Sequence, residues 1–221
     1  MLFLFYFGLQ SAFMQDQDQS LQTLEDIKQL MTKSSRFISL SGWSGVAAGT
    51  CALIGAWIAH QKINTYQGND NAADVVQRTD IAQQLIYIAI LTFIAAFVLA
   101  FLFTYLRSRK TGIPVWGYTA RRVMFNVAIP MFVGGLLIWR MLDFGLYGLV
   151  APACLLFYGL ALVNASKYTV PEIRYLGYFQ LLLGIINLWM PGYGLYFWAA
   201  GFGVLHILYG IVMWNKYERQ Q

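Results

Sequence analysis

Charge is what this sequence has least of. Only 11% of its 221 residues are Asp, Glu, Lys or Arg, against about 25% in a soluble domain. Five stretches carry none at all: 37–61, 81–106, 123–139, 144–166 and 175–215. A water-soluble fold of this size is excluded by that deficit, because its surface would have no means of staying wet. Cysteine is nearly absent too. Cys51 and Cys154 both sit inside uncharged runs, where a thiol acts as a small hydrophobe, so neither a disulfide framework nor a metal site is implied. The net charge of +5 does not point to nucleic acid, since the basic residues cluster between apolar runs instead of forming a basic face. Proton relays, voltage sensors and many coupled transporters keep Asp, Glu, Lys or Arg inside the membrane, and the uncharged runs offer none of these.

What remains is hydrocarbon: 58% of the residues are hydrophobic and the mean hydropathy is +0.54. A bilayer core takes about 20 apolar residues per helix, with roughly 17 as the lower limit. Four runs therefore give one helix each. The fifth, 175–215, is long enough for two and is broken by Pro191-Gly192-Tyr193-Gly194, a turn composition. The predicted fold is an all-α polytopic transmembrane bundle of six helices, with spans near 38–59, 84–106, 123–139, 145–164, 175–190 and 195–214. Residues 1–37 form an N-terminal cytoplasmic segment, 38–214 the transmembrane domain and 215–221 a cytoplasmic tail.

Strict alternation assigns each loop a side. One side collects twelve Lys/Arg (Lys28, Lys33, Arg36, Arg107, Arg109, Lys110, Arg121, Arg122, Lys167, Arg174, Lys216 and Arg219), and the other only Lys62, Arg78 and Arg140. Basic excess marks the cytoplasmic side, so both termini are expected there. Trp57, Trp139, Trp189 and Trp214 fall near span ends, as interfacial aromatics do. Residues 20–36 read as an amphipathic juxtamembrane helix, with Leu21, Leu24, Ile27 and Leu30 on one face and Glu25, Asp26, Lys28 and Lys33 on the other. Such a helix lies along the inner lipid surface or docks on a protein partner. Met1–Phe13 are apolar but too short to span, and lack the basic start and small-residue end of a signal peptide. They read either as an over-extended start, with Met14 opening the polar segment, or as a functional leader.

Besides hydroxyls, the polar side chains left inside the expected spans are Asn126, Gln180, Asn187 and His206. They form the candidate intramembrane polar site. Folding about the Pro-Gly turn brings Gln180 level with the region of His206, which is expected to hydrogen-bond to Gln180 or to a backbone carbonyl. Asn126 lies one turn before Pro130, where its side chain would help satisfy the carbonyl that proline frees. Stripes of small residues, Gly42/Gly45/Gly49 in the first span and Gly145/Gly148/Pro152/Gly159 in the fourth, predict close helix packing. Gly184, Gly203 and Gly210 are expected to pack spans five and six directly. Arg140 and Asp143 are three apart and predict an interfacial pair, and the polar loop 61–83 reads as a solvated linker. No catalytic group, cofactor or metal is implied.

Gly42-Trp43-Ser44-Gly45 resembles the GxSG motif of rhomboid intramembrane proteases, which pair that serine with a histidine on a later helix. Ser44 and His206 lie at similar depth here, and such a pair would activate the hydroxyl. The family's serine, however, sits on the fourth span of a site that opens outward, whereas Ser44 is on the first and nearer the cytoplasm. Ser34-Ser35-Arg36-Phe37-Ile38-Ser39-Leu40-Ser41-Gly42 and the run from Pro191 through Lys216-Tyr217-Glu218 resemble a family of bacterial inner-membrane proteins, chiefly from Bacteroidota. That resemblance covers about residues 20 to 219 and implies no activity. The expected role is a non-enzymatic accessory, sensor or scaffold component associated with membrane lipid and with a protein partner or a second copy. A small-solute transporter or channel is the alternative.

Overall fold

The computed structural model describes residues 41–67, 75–111 and 116–219. The expected amphipathic helix over 20–36 lies outside them. The described chain forms six helices and no strand: α1 (Gly42–Gln67), α2 (Val75–Thr111), α3 (Tyr118–Asp143), α4 (Val150–Ala165), α5 (Glu172–Leu188) and α6 (Gly194–Tyr217). Five are long and apolar enough to cross a membrane, α4 together with the 3₁₀ turn Tyr147–Leu149 before it. α5 is the sixth, with 17 residues, about 25 Å at 1.5 Å per residue. Several helices run beyond the expected spans. α1 continues to Gln67 and α2 already begins at Val75, so most of the stretch expected as solvated linker is helix. The reason is that a helix satisfies its own backbone and does not stop where the lipid does. The expected tail likewise begins inside a helix, since α6 runs to Tyr217.

Glycines decide which helices touch, though not in the pairs that helical spacing assigns. A Cβ on Gly210 would fall 2.5 Å from the Gly42 carbonyl and 2.7 Å from the Val46 nitrogen; one on Gly49 would fall 2.6 Å from the Gly203 carbonyl. Gly203 and Gly210 therefore bring α6 against α1, the first described helix, and do not face α5. Gly184 faces Leu155 and Leu156 of α4. α5 lies on α4 through reciprocal contacts, with a Cβ on Gly159 or Gly177 each 3.0 Å from the other's carbonyl. Close backbone approach is the main source of helix association in lipid, where apolar burial gives no drive. α2 joins α1 at Gly55 and Thr92, and α3 joins α4 at Gly134 and Phe157, so α2 and α3 flank the inner four.

At one end of the bundle, α1, α3 and α5 begin and α2, α4 and α6 finish. Here the Glu218 carboxylate accepts from Arg107 of α2 at 2.8 Å and from the backbone nitrogen of Gly42, one of the free N–H groups at the start of α1. Glu172 accepts from Lys216 and from the Tyr217 hydroxyl, tying the start of α5 to the end of α6. At the opposite end Arg140 pairs with Asp143 at 3.3 Å, as expected, and lies 4.2 Å from the Phe144 ring centre. α3 ends there in a Schellman motif, Gly145 N–H donating to Leu142 and Leu146 N–H to Met141. Gly145 sits at φ +69°. It is thus a turn glycine and not part of a packing stripe.

Replacing Gly210 by Ala puts a methyl into two backbone groups, so α1 and α6 must separate. The expected cost is about 1–3 kcal/mol, read as a lower melting temperature in detergent. Gly135→Ala is the control: its Cβ meets nothing within 4 Å, and helix propensity alone should leave stability equal or raised. Equal melting of Gly210→Ala and wild type would disprove the α1–α6 contact.

Partial burial opposes ionisation of Glu172, but hydrogen bonds from Lys216, its own backbone and Tyr217, with the Lys216 charge, outweigh it and hold the carboxyl below its ordinary value. Its stabilising contribution is therefore complete above the ordinary glutamate pKa and lost as pH falls through the depressed one. An acid melting series should show that loss in the wild type and a flatter acid limb in Glu172→Gln.

Candidate polar site in the helix core

Three helices bring polar groups to one level of the interior. Gln180 of α5 is fully buried and donates from Nε2 to the Gly201 carbonyl at 2.9 Å. His206 of α6 places Nδ1 3.0 Å from that same carbonyl and Nε2 2.8 Å from the hydroxyl of Tyr158, on α4. A carbonyl can only accept, so Nδ1 carries the proton. In the neutral ring Nε2 is then an acceptor, and the Tyr158 hydroxyl donates to it. The result is a chain running from Tyr158 through His206 to the Gly201 carbonyl, with Gln180 entering from the other side.

Local backbone geometry prepares that carbonyl. Residues Ala199–Leu205 form a π-helical segment, in which each N–H reaches back five residues and the turn widens. Gly201 is where α4 and α5 both crowd the α6 backbone: a Cβ there would fall 2.4 Å from Leu155 Cδ2 and 2.5 Å from Gln180 Oε1. Aromatic rings cover the chain from the side. Phe202 lies near-parallel to the His206 imidazole at 6.0 Å and within 5.2 Å of Trp198, while Tyr158 stacks on His206 at 5.4 Å.

Of the two partners expected for His206, Gln180 or a backbone carbonyl, the structure has the carbonyl, and Gln180 shares it. Their N–H groups both need an oxygen, and Gly201 supplies it. Asn187 does not join them. Its Nδ2 donates to the Met190 carbonyl at 3.0 Å, so it closes the α5–α6 turn, seven residues from Gln180 along α5. Asn126 does not help the carbonyl that Pro130 frees; it donates back to Arg122 at 2.8 Å on the partly exposed side of α3. Ser44 donates to the Ser41 carbonyl within its own turn, while both ring nitrogens of His206 are engaged elsewhere. The serine–histidine pair of the protease reading is not formed in this arrangement. Gln180 Oε1, Asn187 Oδ1 and the Tyr209 hydroxyl are buried without a partner among the described residues.

Tyr158 and Gly201 are the members that the sequence reading missed. Tyr158 left one signal: it lies mid-helix, away from the interface where tyrosines gather, and a buried hydroxyl needs a partner. Gly201 left none, because a carbonyl acceptor has no side-chain letter. The chain was compared with protein-family models, curated proteins and solved structures, and none matches.

Tyr158→Phe removes only the donor to His206 and should cost about 0.6–2 kcal/mol. The double variant Tyr158→Phe/His206→Leu should be less destabilised than the sum of the singles, because both break one bond. Additive losses in a double-mutant cycle of detergent unfolding would show that the two side chains are not coupled.

Proposed function

We propose that this chain is a non-enzymatic component of a bacterial cytoplasmic membrane, acting as an accessory, sensor or scaffold subunit with both termini cytoplasmic. The observation that carries the reading is the closed hydrogen-bond chain of Tyr158, His206, Gly201 and Gln180. The Tyr158 hydroxyl, both His206 ring nitrogens, Gln180 Nε2 and the Gly201 carbonyl serve one another and link α4, α5 and α6. A second observation supports an associative role. The apolar stretch of α2 has none of its residues buried, and Phe93, Phe97 and Phe101 are each more than half exposed along it. Lipid, a partner's helix or a second copy of this chain would cover such a face. The orientation draws support from the twelve-to-three bias of Lys/Arg, and the bacterial assignment from the resemblance to the Bacteroidota family.

Two features favour a second reading, a small-solute transporter or channel. The π-helical segment is a form frequent at functional sites, and Gln180 Oε1 lacks a partner.

His206→Gln keeps one donor and one acceptor, so the accessory reading expects unchanged stability and an unchanged set of proteins co-purifying in mild detergent. His206→Leu should be the damaging change. A His206→Gln variant that folds normally but loses solute flux in proteoliposomes would establish the transporter instead. For orientation, Cys51 and Cys154 are replaced by Ala and single cysteines placed at 70 and 112. An impermeant maleimide on intact spheroplasts should then label only position 70, and labelling at 112 would reverse the topology.

A further inference from the structure

Four carboxylates lie among the described residues: Asp80, Asp143, Glu172 and Glu218. The two at the basic end are both engaged, Glu218 with Arg107 and Glu172 with Lys216. Around the turn joining α4 to α5, basic side chains gather with no carboxylate partner among the described residues. Arg122 reaches the turn from the first turns of α3, its guanidinium 5.7 Å from the Tyr168 ring centre and 4.5 Å from that of Tyr118. Arg174 reaches it from the start of α5 and donates from Nε to Ser166 at 3.3 Å. Ser166 in turn donates to Val163, which fixes the hydroxyl as an acceptor for the arginine. Lys167 lies on the turn itself, between Ser166 and Tyr168 in the chain. Arg122, Lys167 and Arg174 are all exposed.

Held this way, the arginines are positioned without being neutralised. The contacts to tyrosine rings orient the Arg122 plane but leave its charge unmatched. The bond to Ser166 uses only one of the Arg174 guanidinium nitrogens. Two guanidinium forks and an ammonium around one turn match the tetrahedral oxygens of a phosphate. Directly along the helices from this turn the surface becomes hydrocarbon. Phe125, Ile129 and Phe132 of α3 and Tyr178, Phe179 and Leu182 of α5 are exposed, so acyl chains have apolar side chains to lie against.

We propose that the α4–α5 turn binds the headgroup phosphate of an anionic phospholipid, held by Arg122, Lys167 and Arg174. The apolar surface continuing from the turn is why the occupant is a lipid and not a free phosphate. Basic sites between membrane helices take acidic headgroups in this way. The site stands independently of the accessory-subunit reading, because it needs only the bundle and its exposed cations.

The test uses the full chain in mild detergent, with native mass spectrometry against phosphatidylglycerol, cardiolipin and phosphatidylcholine at equal concentration. Wild type should retain the anionic lipids over phosphatidylcholine. Each of Arg122→Gln, Lys167→Gln and Arg174→Gln should weaken that preference roughly fivefold, at unchanged melting temperature without lipid. Lys167 has no structural contact among those described above, so Lys167→Gln decides the matter if either arginine variant folds poorly. The double control Arg109→Gln/Lys110→Gln, which keeps the turn intact, should retain the preference. Equal loss in that control would reduce the effect to general charge and overturn the site. Displacement of the lipid by millimolar inorganic phosphate would overturn the lipid assignment in favour of a free anion, and unchanged preference in Lys167→Gln would overturn the proposal outright.

Discussion

The contact between the first and last described helices is the constraint on which the other contacts of the bundle depend. Apolar side chains leave lipid for a protein interior that is no less apolar, so helices associate only where backbones come close or polar groups bond. Gly42, Gly45 and Gly49 on α1 and Gly203 and Gly210 on α6 meet this requirement along two turns and more. Once α6 is laid against α1, its opposite side is committed to α4 and α5. That side carries Gly201 and His206, and there the π-helical turn offers its carbonyl. The glycine contact and the polar chain are two faces of one helix. A change that moves α6 away from α1 must also move His206 relative to Tyr158.

Both ends of α6 are fixed as well. At the basic end Glu218 caps α1 and pairs with Arg107, and Lys216 holds Glu172. The side chains of Arg107 and Glu218 are only 10% and 15% exposed, so breaking one would leave the other charge partly buried and uncompensated. At the other end Gly194 packs on Ala151 of α4, and His60 of α1 meets the Tyr196 ring edgewise. Arg107 also ties α2 to the basic end, α3 meets α4 at Gly134 and Phe157, and both outer helices present long apolar sides outward.

Helix number and placement along the chain were legible because they follow from where charge is missing, and lipid enforces that pattern strictly. The pairing of Arg140 with Asp143 was legible because it is local. Partner choice was not. Gly203 and Gly210 were visible as close-packing residues, yet helical spacing says only that they share a face, not which helix faces them. Their assignment to α5 followed sequence adjacency, and the glycines of α1, more than 150 residues earlier, won instead. Gln180 and His206 were singled out correctly as groups that must find partners. The partner was a main-chain oxygen within a π-helical segment, which no residue pattern announces. Arg107 and Glu218 show the same limit: each was read as a charge beyond a span end, and only the fold brings those ends together.

The unpartnered oxygen of Gln180 bears most directly on whether the polar chain is a site or a strut. A ligand-binding amide is expected to face an opening. Here Oε1 occupies the space that a side chain on Gly201 would fill, 2.5 Å from the Cβ position that glycine lacks. Reversing the amide would satisfy nothing, since Nε2 already serves the Gly201 carbonyl and an oxygen in its place would face another acceptor. The orphaned oxygen is thus a consequence of how tightly α5 and α6 approach at Gly201. Close approach brings Nε2 within hydrogen-bond range of the main chain and leaves the other half of the amide against a Cα. The feature that invites a ligand reading is thus also what close packing at Gly201 produces, in a polar chain that links α4, α5 and α6.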